Sequence, residues 1–83
     1  MRQVTLSIPD DTLIALKINP EAFADELRFA AAVKLFELGR LSAGSAARLA
    51  GVPKPVFLAR LGEYGVDAFR LSEAEIEHDA NNA

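Results

Sequence analysis

The sequence predicts a mainly α protein: a small helical domain with a helix-turn-helix, a short N-terminal strand and room for a second short strand near its end. Three observations carry this. The tripeptide Asn19-Pro20-Glu21 opens a long apolar stretch that ends at Gly39. A small-residue segment, Ser42 to Ala50, leads through Gly51-Val52 into another short apolar segment. And 83 residues, 51% of them hydrophobic, can build one core and no second one.

The elements follow in order. Over residues 2–8, Val4, Leu6 and Ile8 alternate with Gln3, Thr5 and Ser7, the period of a half-buried strand. The strand segment is therefore 1–9, closed by Pro9. Asp10 and Asp11 cap a short helix carrying Leu13, Ile14 and Leu16. Asn19 then suits an N-cap, Pro20 the first helical position and Glu21 the positive end of the helix dipole. The central helix, 20–38, ends where Gly39 can turn left-handed. Two apolar stripes run along it. One holds Phe23, Leu27, Ala31, Leu35 and Leu38; the other holds Ala22, Phe29, Val33 and Phe36. A helix apolar on two sides is covered twice, either by its own neighbours or on one side by a second copy of the chain. The pattern leaves both open.

The segment 42–62 reads as the helix-turn-helix. Ala46, Ala47 and Ala50 are small enough for a close helix crossing, Gly51 supplies a positive φ, and Val52 plugs the angle. Phe57, Leu58 and Leu61 fill the core beneath the second helix. Beyond Gly65, residues 66–71 could form the second short strand. Ser72-Glu73-Ala74-Glu75 has the pattern of a capping box, which opens a short acidic helix to about His78. The whole is one domain, 1–83, with 66–79 as an acidic, partner-binding tail.

Composition narrows the function. With no cysteine and one histidine, thiol chemistry and histidine-rich metal sites are not expected, and no cofactor or metal is. No nucleophile–base pair stands out, so the expectation is a binding protein and not an enzyme. No apolar run approaches the roughly 20 residues of a bilayer span, and Met1 to Thr5 has no apolar signal core; a cytoplasmic chain without membrane partners is expected.

Charge is segmented. Residues 1–37 carry −2, residues 38–62 carry +4 with no acid, and residues 63–83 carry −5, for a net of −3. The basic island is Arg40, Arg48, Lys54 and Arg60, and it coincides with the helix-turn-helix. Such an island facing a phosphate backbone makes these four the candidate DNA-binding residues. The bland alternative is a solvated surface, or a helix pair that binds protein. In its favour, the second helix begins Pro53-Lys54-Pro55-Val56 and has no Asn, Gln or Ser to pair with base edges. A competing DNA surface lies in the N-terminal third. There, strand, short helix and long helix resemble the ribbon-helix-helix pattern, with Arg2, Gln3, Thr5 and Ser7 as readers. Small size and the two-sided central helix favour a homodimer.

Four stretches, in this order and spacing, carry a wider resemblance: residues 4–11 (Val4-Thr5-Leu6-Ser7-Ile8-Pro9-Asp10-Asp11), residues 37–42, residues 46–52 (Ala46-Ala47-Arg48-Leu49-Ala50-Gly51-Val52) and residues 63–66. Over residues 3–79 the chain resembles small uncharacterised prokaryotic proteins described as VapB-like antitoxins. That resemblance implies an operator-binding regulator of transcription from a toxin–antitoxin system, whose C-terminal part blocks a PIN-domain ribonuclease. Phe69, Arg70, Leu71 and Ile76 then become candidate partner-binding residues. Arg70 would pair with the toxin's carboxylates and compete with its metal. Pro53 and Pro55 depart from the polar residues expected where the second helix starts.

Overall fold

The computed structural model describes residues 2–66. Over these the chain is helical: α1 spans Asp10–Leu16, α2 Pro20–Glu37, α3 Ala43–Ala50 and α4 Lys54–Arg60, followed by a single 3-10 turn over Leu61–Tyr64. The expected second strand (66–71) and the acidic helix from Ser72 lie outside the described residues, except for Val66 itself.

Local chemistry sets the boundaries. The Asn19 side chain accepts a hydrogen bond from the Ala22 amide at 2.8 Å, with Pro20 at the first helical position of α2. The Ser42 hydroxyl accepts from the Ser45 amide at 3.1 Å and starts α3. Gly51 closes α3 at φ +77, where any other side chain would meet the carbonyl of its own residue. By contrast α1 has no side-chain cap at its start and ends on Lys17 at φ 56, a left-handed position held by a non-glycine residue. A seven-residue helix with such ends gains little from local interactions.

Among the described residues the core begins at Phe29 and ends at Val66. Phe57 and Leu61 are fully enclosed. The Phe57 ring sits 5.5 Å from Phe29 in a tilted pair and 5.7 Å from Phe36 in an edge-on pair. Ala43, Ala46 and Ala47, all buried, let α3 lie close to the Phe29–Val33–Phe36 side of α2. Of the two apolar stripes, then, the one bearing Phe29, Val33 and Phe36 is covered by the chain itself, with Ala22 left exposed at its start. On the other stripe Phe23, Leu27 and Leu35 are half-buried, and Ala31 and Leu38 are exposed.

The expected N-terminal strand has no pairing partner among the described residues. Residues 2–9 carry no regular secondary structure, and no sheet is present among the described residues. The alternation that marks a strand is there, but a strand also needs an edge to pair with, and the rest of the described chain is helix and turn.

Phe57→Ala should cost about 3–5 kcal/mol of stability, because the site is walled by α2 and α3 and cannot collapse. Lys34→Ala, which removes an exposed 3.0 Å ion pair with Glu37, should cost less than about 0.5 kcal/mol. Urea melts monitored by circular dichroism check both; similar midpoints for the two variants would contradict this core.

Candidate nucleic-acid interface

The α3–α4 pair is a tight corner. The Gly51 amide donates to the Arg48 carbonyl at 3.2 Å and the Val52 amide to the Ala47 carbonyl at 3.1 Å. Both close the end of α3, and Val52 is half-buried against the core. Pro53 leaves the corner extended, and α4 starts at Lys54. The sequence expectation of two short helices around Gly51-Val52 therefore matches the geometry.

The four candidate cations divide into two groups. Arg40 is exposed in the link between α2 and α3, Arg48 is exposed on α3, and Lys54 is exposed at the start of α4. The Arg48 guanidinium donates to the Ser45 hydroxyl at 3.1 Å, which leaves most of its donors facing water. Arg60 differs. Its guanidinium lies 4.0 Å above the Phe29 ring, and its Nε donates to the Glu63 carboxylate at 3.1 Å. It is half-buried, and it packs α4 against α2.

One cation escaped the sequence reading. Arg28 of α2 donates from Nε to the Leu49 carbonyl at 2.9 Å, across 21 positions. Its guanidinium lies 3.7 Å from where a Cβ would sit on Gly51. Arg28 thus holds the end of α3 and the corner itself. Nothing in its local sequence separates it from an ordinary surface arginine.

Arg28 and Arg60 both line an open cleft of about 710 Å³ between α2, the corner and the 3-10 turn. Asp25, Glu26 and Glu63 line it too. Three carboxylates against two guanidiniums leave this side slightly negative, unsuited to a phosphate backbone. Arg40, Arg48 and Lys54 are exposed and do not line this cleft.

The exposed surface of α4 has little with which to read bases. Lys54, Pro55, Val56 and Ala59 face water, with Val56 42% exposed. Among the described residues, no three His, Cys, Asp or Glu side chains are grouped to hold a metal, and no helix is long and apolar enough to cross a membrane. The candidate partner residues Phe69, Arg70, Leu71 and Ile76 lie outside the described residues.

Comparison with known proteins supplies a family. The profile of the uncharacterised protein family UPF0175 matches residues 1–83. A UPF0175 protein of Aeropyrum pernix is 31% identical over 78 residues, covering 94% of this chain and 82% of the relative. No solved structure matches. A full-length family match and an archaeal relative aligned along nearly the whole chain agree, and the chain belongs to the UPF0175 family.

Proposed function

We propose that this protein is a DNA-binding antitoxin, a small transcriptional regulator that represses its own operon and neutralises a PIN-domain-like ribonuclease. The observation that carries the DNA half is the exposure of Arg48 on α3, Lys54 at the start of α4 and Arg40 in the link before α3, within a stretch, residues 38–62, that holds no acid. In this reading the corner is a helix-turn-helix whose cations meet phosphates and set its register on the duplex. Arg28 and Arg60 keep the two helices at their angle and touch no DNA. The toxin half follows from the resemblance to VapB-like antitoxins and from the acidic segment 66–79. There Phe69, Leu71 and Ile76 would anchor and Arg70 would face the toxin's carboxylates.

A second reading is favoured by one observation. The exposed side of α4 is largely apolar, with Pro55, Val56 and Ala59, and lacks amide or hydroxyl groups for base edges. On that basis the helix pair would bind a protein and never DNA. The salt dependence of binding to the chain's own upstream DNA separates the two.

Arg48→Ala and Arg40→Ala should each weaken that binding and lower the slope of log K against log salt by roughly one unit, the signature of one lost phosphate contact. Gln3→Ala and Thr5→Ala should leave the slope unchanged. Loss with the N-terminal variants alone would move DNA contact to residues 2–7, and a wild type that binds no DNA even at low salt would support the protein-binding reading. For the toxin half, Arg70→Ala should impair rescue of cells expressing the neighbouring ribonuclease more than Glu75→Ala does. Equal rescue by both would remove Arg70 from the interface.

A further inference from the structure

The N-terminal third of this chain is ordered without a core of its own. Every buried side chain lies at Phe29 or beyond; residues 2–28 contribute none. Yet this third is rich in large apolar side chains. Val4 is 82% exposed, Leu6 60%, Ile14 75% and Leu16 52%. Val4, Leu6, Ile8, Leu13, Phe23 and Leu27 line an open apolar groove of about 390 Å³ between the N-terminal segment, α1 and the first half of α2. Residues 2–8 donate and accept no backbone hydrogen bond within the described chain. An apolar patch rimmed by polar residues, beside a row of unpaired backbone groups, is the surface of something that is covered in use.

We propose that a second copy of this chain covers it, with residues 2–8 of the two copies paired as an antiparallel ribbon across a two-fold axis. Three features favour the same chain over a foreign one. First, the surface is self-complementary. Any antiparallel register that sets even-numbered residues opposite even-numbered ones puts Val4, Leu6 and Ile8 of both copies on one side of the ribbon, over both grooves. Gln3, Thr5 and Ser7 of both then face the other side. Second, the segment that pairs is balanced in charge: residues 2–18 hold Arg2 and Lys17 against Asp10 and Asp11. The groove lining itself is apolar but for Arg28 at its edge, whose Nε is already bonded to the Leu49 carbonyl. Third, pairing gives partners to the backbone groups along one edge of residues 2–8 and buries the side of α2 that α3 and α4 leave open.

This assigns the two stripes of α2 different tasks. Phe29, Val33 and Phe36 hold the helix pair, and Phe23 and Leu27 face the second copy. It differs from a dimer built on Phe29, which the chain's own α4 already covers. The inference does not rest on DNA binding, and its test reads no DNA.

The chain has no cysteine, so a single introduced thiol reports on one place. Gln3→Cys, Thr5→Cys and Ser7→Cys are made on the polar side of the ribbon, where they leave the apolar contacts intact. Residues directly opposite in an antiparallel pair have Cβ atoms about 4.5–5.5 Å apart, close to what a disulfide needs. Mild oxidation should give a covalent dimer in high yield at one of these positions or, where the two-fold axis passes an even-numbered residue, in the double variant Gln3→Cys/Thr5→Cys or Thr5→Cys/Ser7→Cys, and little with Glu63→Cys. Sedimentation equilibrium should give the wild type about twice its chain mass. Leu6→Asp should give one chain mass with the helical circular dichroism of residues 29–64 kept. A wild type that sediments as a monomer overturns the proposal and returns the groove to a partner of another sequence. So does a dimer that persists in Leu6→Asp and forms no disulfide in any of the single or double variants. If Leu6→Asp fails to fold, the disulfide series alone decides.

Discussion

Phe57 stands between Phe29 and Phe36, and the arrangement of every described helix after α1 depends on that contact. The helices α3 and α4 have eight and seven residues, too short to persist in water by themselves. They exist because α2 offers two aromatic rings and Val33 on one side, and because the alanines of α3 let it approach them. Phe29 does more than fill space. It stacks at 5.5 Å on Tyr64 of the 3-10 turn and carries the Arg60 guanidinium above its ring. One side chain therefore joins α2, α4 and the turn that follows. The positions of Arg48 on α3 and Lys54 on α4 therefore depend on a core that those helices share with α2.

The charges are sorted by that packing. Two arginines, Arg28 and Arg60, are spent on structure: one holds a carbonyl at the end of α3, the other an aromatic ring and a carboxylate. They share their cleft with Asp25, Glu26 and Glu63, so that side of the molecule offers no net attraction to phosphate. The remaining cations of the island stay on the solvent side. This separation leaves a protein of net charge −3 with three exposed cations away from that cleft. Function and dimerisation then occupy different parts of one short chain. Among the described residues, Phe29 to Val66 build a core of their own and carry the basic island. Residues 2–28 display an apolar surface, which the proposed second copy would cover.

Much of this was legible locally. Asn19 with Pro20, Ser42 and Gly51 each act on their own few neighbours, and the helix ends they predict are the helix ends observed. Three things were not legible, for physical reasons. Both stripes of α2 are apolar, and only the contact with Ala43, Ala46 and Ala47 decides which one turns inward. Arg60 reads as one more member of a basic island, yet a ring 31 positions earlier draws it in. Its i,i+3 spacing to Glu63 was the available local sign that it had a partner. Arg28 gave no sign at all, since its acceptor is a backbone carbonyl, and backbone carbonyls look alike in every sequence. The strand at 2–8 is a different case. Its alternation was legible, but a ladder needs two edges, and the described residues provide a single edge.

Amide hydrogen exchange across a range of protein concentrations tests this division most directly. The account predicts that amides within Phe29–Tyr64 are protected to the same degree at high and low concentration, because their core is internal. Amides of residues 3–8 and of α1 should be protected at high concentration and lose that protection on dilution, as the second copy leaves. Protection of residues 3–16 that does not change with dilution would contradict it, and would mean that the N-terminal third is held by the chain's own core.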